Sequence, residues 1–462
     1  MTVPPVSLSH KVGGVLGRKS VKWTQLEIPA TRFSCVTSGS CRPKLGLCIL
    51  SLVVTVGLCL ILVPLLVDTP KMAAEPQTLQ NEEAVKAVAK ANQDFNGKLY
   101  PLLAKGVGAT DNLVASPFSV SSVLSMVFAG AGGNTAAELK SGLSLPDDES
   151  LLTSGFEGLV GALRSNENFT LDTANRLYVQ QNFKLLDEYL KLTAAHFKAE
   201  AENVDFATSA EAVRTTINTW VEEKTNQKIK NLIPEGVLGE LTRLVLVNAV
   251  YFKGDWQDKF DPKMTRKMEF EVTPGGEKVE VDMMRRSGNY KGAFNKELGA
   301  SILQMPYKGD RVHMYIALPN KPEEFAEVEQ KWANFDFLGL ELARAIKFDV
   351  SLPRFKLEAK HDLEDALSAL GMKEMFDQNK ADFSKMTSEP TGLFVSKVLQ
   401  KAFIEVNEEG AEAAAATAGI MMTRAMIRTP EVICNRPFLF AIQDSLTGML
   451  LFSGRVMNPT KN

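Results

Sequence analysis

Hydrophobic positions change their spacing along this chain, and the changes mark its parts. Residues 45–67 are uncharged and apolar at almost every position, whereas from residue 81 onward the pattern becomes periodic. Val85, Val88, Ala89, Phe95 and Leu99 recur at helical spacing and predict an opening amphipathic helix. The next stretch, 112–143, leads through Val123, Leu124, Met126 and Val127 as an apolar helix. It closes at Gly130-Ala131-Gly132-Gly133-Asn134-Thr135, a glycine turn in which Thr135 is expected to cap the following helix. A strand is predicted at 171–180, a helix at 186–197 and a longer helix at 210–229, carrying Trp220. Strands then dominate. Residues 241–253 are apolar at nearly every position, as a strand buried on both faces requires. A hairpin is expected at 268–284 about Pro274-Gly275-Gly276, and two more strands at 301–318 around Tyr307-Lys308-Gly309-Asp310. Residues 348–357 read as one strand, 363–371 as a short helix, and 394–406 as a strand rich in branched and aromatic side chains. A final strand pair, 432–456, turns at Asp444-Ser445-Leu446-Thr447-Gly448. Helices followed by strands, with no internal repeat, indicate an α+β domain.

One stretch fits no element. Glu408-Glu409-Gly410-Ala411-Glu412-Ala413-Ala414-Ala415-Ala416-Thr417 follows the 394–406 strand and leads into Met421-Met422-Thr423-Arg424-Ala425. Propensity alone makes the alanine run helical, yet it follows a strand and is bracketed by glycines. With almost no side chain to obstruct it, it can be strand, helix or loop.

The N-terminal part has its own logic. Residues 1–44 are irregular, and their charges are basic apart from Glu27. The apolar run 45–67 is long enough to cross a hydrocarbon core of roughly 30 Å. Basic residues precede it while Asp68 and Glu75 follow a short way on, which orients the body away from the cytoplasm. Cleavage as a signal peptide and retention as a signal anchor both fit; initiation at Met72 would leave the body intracellular. Export is the expectation, giving a secreted, extracellular protein or one tethered through 45–67, with 68–81 as linker and 82–462 as the folded body. Export also makes Asn168-Phe169-Thr170 a usable glycosylation sequon.

Composition removes most chemistry. The net charge of −3 gives no reason to expect nucleic-acid binding. Cys35, Cys41, Cys48 and Cys59 lie in the N-terminal part, leaving Cys434 alone in the body, where it reads as a small hydrophobe. The histidines (His10, His196, His313 and His361) are far from one another and from cysteines at metal-ligand spacing, and each reads as solvated or locally satisfied. No Gly-x-Ser-x-Gly elbow, Walker loop or dinucleotide fingerprint is present. Neither an enzyme active site nor a metal or cofactor is expected.

The body, from about residue 82 to 459, closely resembles the serpin family of serine protease inhibitors. The resemblance rests on Asn112-Leu113-Val114-Ala115-Ser116-Pro117-Phe118-Ser119, on Leu246-Val247-Asn248-Ala249-Val250-Tyr251-Phe252-Lys253-Gly254-Asp255-Trp256, and on Gln304-Met305-Pro306-Tyr307-Lys308-Gly309. Leu352-Pro353-Arg354-Phe355, Ala381-Asp382-Phe383-Ser384 and Asn435-Arg436-Pro437-Phe438-Leu439-Phe440 complete it. It implies a serpin fold of three β-sheets and about nine helices, with an exposed reactive-centre loop over about 408–431. Such a protein is not an enzyme; it is a suicide substrate that a serine protease attacks and is trapped by as an acyl-enzyme.

Residue roles follow from the same resemblance. The hinge would comprise Glu408, Gly410, Ala411, Ala413, Ala415 and Thr417, the last four small and sharing one face of an extended strand. Counting the family's seventeen residues from Glu408 reaches Arg424, so the scissile bond would be Arg424–Ala425 and the target trypsin-like. Such a segment spans roughly 55 Å when extended; ending it at Arg428 instead would lengthen it by about four residues, roughly 13 Å, and leave it slack. Ser116, Ser119, Asn248, Trp256 and Gln400 match the regions that let the main sheet open, with Gln400 where vertebrate members often carry histidine. The alanine-rich hinge and Gln400 give it an arthropod-like character. The stretch 146–168 is acidic, so heparin is not an expected partner, and the protein is expected to be a monomer. A non-inhibitory carrier, storage or chaperone role is the alternative.

Overall fold

The computed structural model describes residues 81–163, 169–197, 199–340, 342, 344–389, 391–409 and 429–461. Eight α-helices and three β-ladder systems occur among them. The helices are α1 (Glu82–Val107), α2 (Pro117–Gly130), α3 (Gly133–Gly142), α4 (Glu149–Ala162), α5 (Asp187–Leu192), α6 (Phe206–Lys224), α7 (Phe325–Ala333) and α8 (Glu364–Ala369).

The strands are β1 (Leu113–Ala115), β2 (Phe169–Gln180), β3 (Glu200–Val204), β4 (Leu244–Gly254), β5 (Arg266–Glu271), β6 (Lys278–Asn295) and β7 (Ala300–Pro306). They continue with β8 (Val312–Pro319), β9 (Ile346–Pro353), β10 (Phe355–Asp362), β11 (Val395–Val406), β12 (Glu431–Ile433), β13 (Phe438–Asp444) and β14 (Leu450–Val456). One sheet runs β10-β11-β4-β2-β3. The other strands form the path β1-β14-β13-β8-β7-β6-β9-β12, with β5 also on β6. This path contains two sheets that share β6, which pairs with β5 and β9 along one part and with β7 at its far end. The fold is thus α+β with three sheets.

Strand β4 shows why its sequence is apolar throughout. Val245, Val247, Ala249 and Tyr251 pack with Ile217 and Val221 of α6 on one face of the five-stranded sheet. Leu244, Leu246, Val250 and Phe252 point to the opposite face, into the main core with α2. Burying each such aliphatic side chain contributes about 1.5–3 kcal/mol. Asn248 shares the core-facing register and is fully buried. Helix α2 lies between this sheet and β14, and nearly all of its length is buried.

Three local expectations change. Thr135 does not cap α3: the helix starts from Gly132, and the Thr135 hydroxyl accepts from the Asp382 backbone N–H at 3.0 Å. The single strand expected at 348–357 is two, β9 and β10, parted at Arg354 as the chain passes from one sheet to another. Finally, β1, β3 and α7 form where no strand or helix was expected; β3 is an exposed edge of mixed polar residues.

Candidate functional site

Gly410, Ala411, Ala413, Ala415, Thr417, Arg424 and Ala425 lie outside the described residues, as do Asn168 and residues 45–67. Both ends of the 410–428 segment are described.

The upstream end is pinned where β11 finishes. The Trp256 indole N–H donates to the Asn407 carbonyl at 2.9 Å. The same indole stacks on Tyr307, with ring centroids 4.5 Å apart and planes 8° from parallel. Next to it, the Glu408 carboxylate is buried at 5% exposure. Arg354 grips it with two hydrogen bonds, Nε at 3.0 Å and Nη2 at 2.6 Å, and the Thr265 hydroxyl adds a third at 2.6 Å. Burial alone would raise the Glu408 pKa, but the bonds from Arg354 and Thr265 outweigh it and hold the carboxyl below its ordinary value. Arg354 is the single residue between β9 and β10 and has no partner in either ladder's register, which leaves its side chain free to reach Glu408. Glu409 faces solvent, 3.6 Å from the Lys253 ammonium.

The downstream end joins the edge strand β12, which pairs in parallel with β9 over Glu431, Val432 and Ile433 only. Beyond it, Cys434 is buried and burial pushes its thiol up to about 12, so it stays an unreactive thiol.

Between these ends, β11 and β4 are parallel neighbours in the middle of the five-stranded sheet, in register from Lys397–Val245 to Ile404–Phe252, with a shift at Ser396 that separates this run from the Val395–Leu244 pair. Their outer neighbours, β10 and β2, each pair antiparallel with them. A row of polar side chains crosses this seam at one level: His361 of β10, Gln400 of β11, Asn248 of β4 and Asn175 of β2. Gln400 donates to the Asn248 side-chain oxygen at 2.8 Å and to the Ser116 carbonyl at 3.0 Å, while its own oxygen accepts from the Ser116 N–H at 3.3 Å. Asn248 donates to the Ser119 hydroxyl and, at 2.6 Å, to Asn175. The Ser116 hydroxyl donates to the Leu451 carbonyl at 2.6 Å and accepts from the Ser119 N–H at 3.2 Å, capping α2. Ser116, Ser119, Asn248 and Gln400 are fully buried and bonded to one another, so separating β11 from β4 breaks the Gln400–Asn248 bond and disturbs the whole set.

The structure therefore brings Ser116, Ser119, Asn248 and Gln400 into one network, and sets Trp256 and Glu408 at the mouth of the seam. Sequence reasoning missed His361, Asn175, Arg354 and Thr265. The signal for His361 was present: Phe355, Leu357 and Ala359 alternate inward along β10, and His361 is next in that register. Its Nε2 donates to the Val114 carbonyl at 2.9 Å.

Among the described residues no group of His, Cys, Asp or Glu has a metal-binding arrangement, and no helix is long and apolar enough to cross a membrane.

A family model described as "Serpin (serine protease inhibitor)" matches residues 90–459. The chain is 40% identical over 383 residues to Serpin B6 of Pongo abelii, covering 80% of this chain and 99% of that protein. It is 39% identical over 381 residues to human Serpin B8, covering 80% and 99%. The solved structure of Serpin48, "a highly specific serpin in the insect Tenebrio molitor", superposes with a TM-score of 0.72 at 34% identity, covering 81% of this chain and 98% of that one. Native protease nexin-1 with heparin gives 0.72 at 30% identity, covering 81% and 100%.

Proposed function

The chain belongs to the serpin family, and from that premise we propose that it traps a trypsin-like serine protease by acting as its suicide substrate. The observation that carries this reading is the parallel seam between β4 and β11, with the 410–428 segment starting where β11 ends. A segment that leaves β11 and folds back runs antiparallel to β11. Because β4 is parallel to β11, it also runs antiparallel to β4. One inserted strand thus exchanges a parallel ladder for two antiparallel ones, which are slightly more stable per residue.

In the proposed chemistry the protease serine oxygen attacks the Arg424 carbonyl carbon, with its proton passing to the protease's own base. The C–N bond to Ala425 breaks, the released amine takes up that proton, and an ester joins the protease to Arg424. Insertion of the freed segment then carries the ester away from its original position before water completes hydrolysis. Ala411, Ala413, Ala415 and Thr417 on one strand face suit burial against the core side of the seam.

Incubation with trypsin tests the reading: a complex that survives SDS is expected, and mass spectrometry should place the cut after Arg424. Arg424→Ala should abolish trapping, whereas Arg428→Ala should largely preserve it. Cleavage without any stable complex would favour a carrier, storage or chaperone role.

The apolar run 45–67 supports export of the body, free or tethered at a membrane, and glycosylation at Asn168. N-terminal sequencing of the exported protein separates cleavage from tethering.

A further inference from the structure

We propose that the cleft between α1 and α7 binds a small amphipathic organic acid: an apolar body that carries an acidic group and an N–H or O–H donor. The cleft has a volume of about 440 Å³, within the range of small-molecule sites. The two helices pack against each other there, and several of the side chains they turn to it are small: Ala104 from α1, Ala326 and Ala333 from α7. Alanine at these positions leaves the space between the helices unfilled, and Pro101 and Phe325 supply larger apolar walls.

A built polar wall sets this cleft apart from a plain apolar groove. Arg455 of β14 lines it and is only 2% exposed. Its guanidinium is already committed. Nε donates to the Asp111 carbonyl at 2.9 Å, Nη2 to the carbonyls of Ala104 and Gly108, and Nη1 to both Glu329 oxygens at 2.9 Å. One buried cation thus ties the C-terminal end of α1 to α7, so this wall is fixed before any ligand arrives. Glu329, which also lines the cleft, accepts from the Tyr100 hydroxyl at 2.9 Å through Oε1. A carboxylate offers about four acceptor sites. Oε1 takes Tyr100 and Arg455 while Oε2 takes Arg455 alone, which leaves an acceptor site on Oε2 for a donor in the cleft. Burial, then the Glu329 charge, pushes the Tyr100 phenol well above its ordinary value, so its proton stays in that bond.

The charge of the lining selects the sign of the ligand. Among the described residues Glu329 is the one carboxylate that lines the cleft, and Arg455 neutralises it. Lys105, exposed in the last turn of α1, is the remaining charge in the lining and has no ion-pair partner among the described residues. The carboxylates on and beside α7, Glu327 and Glu324, are taken by Lys331 and Lys321. An acid at the Lys105 side, an apolar body along the alanines and a donor to Glu329 therefore satisfy the cleft together.

The probe for the test is anilinonaphthalene sulfonate, which joins apolar rings to a sulfonate and one N–H. Titration of the full chain at pH 7.5 and low salt, followed by fluorescence and calorimetry, should give one saturable site with a dissociation constant on the order of 10 μM. Ala326→Trp fills the cleft from an exposed position on α7 and should weaken binding about tenfold or more. Lys105→Glu should weaken it about fivefold, an effect that shrinks in roughly 1 M salt. Phe294→Ser removes an exposed aromatic elsewhere and should leave binding within about twofold. The dye should also raise the thermal midpoint of the parent but not of Ala326→Trp, which separates binding to the folded protein from binding to a loosened one. Binding that does not saturate, lowers the midpoint, survives both cleft variants or disappears in Phe294→Ser overturns the proposal. If Ala326→Trp does not fold, Lys105→Glu and the sign of the midpoint shift decide. None of these readings requires trapping of trypsin, so its absence would leave the binding result standing.

Discussion

Replacing Gln400 with leucine tests how much the polar row holds the seam closed. Leucine is close to glutamine in size, so the change removes hydrogen bonds with little cavity. The Asn248 side-chain oxygen loses its bond from Gln400, and the Ser116 N–H loses its acceptor. The Ser116 carbonyl keeps a partner, because it also accepts from the Val120 N–H at 3.1 Å. Two buried groups are therefore orphaned, at about 1–3 kcal/mol each, giving a destabilisation of about 4 kcal/mol. Urea unfolding of purified protein at pH 7.5 should show a lower midpoint with an unchanged slope for the leucine variant. Gln400→His, which retains one donor and one acceptor, should lose less than half as much. A leucine variant within about 1 kcal/mol of the parent would refute the reasoning: the row would then be solvated or redundant, not a clasp.

Two further outcomes follow from the loop's upstream anchor and the hinge. Glu408 is held ionised by Arg354 and Thr265, so it contributes stability above the unfolded carboxyl value of 4.5 that is lost as pH falls through the lower folded value; Glu408→Gln should flatten a thermal-midpoint profile across that window. Ala413→Arg should convert an inhibitor into a substrate, read as loop cleavage by trypsin without an SDS-stable complex, because a long cation cannot enter the seam's core side; retained trapping would show that the assumed face is wrong.

Much of the fold was legible because burial writes itself into spacing. Strand β4 is covered on both faces and its sequence is apolar on both. The α2 helix sits between two sheets, and its sequence shows apolar residues all round. Edge strand β3 carries no such mark, because little of it is buried. The division of 348–357 was hidden for a different reason: β9 and β10 are both extended, and only the partners change at Arg354. The site was half legible. Ser116, Ser119, Asn248 and Gln400 could be named from family motifs, but their hydrogen bonds depend on register between strands far apart in sequence. Arg354 and Thr265 meet Glu408 only through tertiary folding, and no local pattern marks them.

In the structure β4 and β11 are directly paired, and the proposed mechanism opens that ladder to admit one strand, which would set how such a molecule is consumed. Insertion would leave two antiparallel ladders in place of one parallel ladder, with no second parallel pair at that seam for another event. On that mechanism each copy would act once. Its protective capacity would be a stock, not a turnover rate: protease would be quenched until the copies ran out, and activity would then rise abruptly. Supply, set by synthesis and delivery, fixes that threshold.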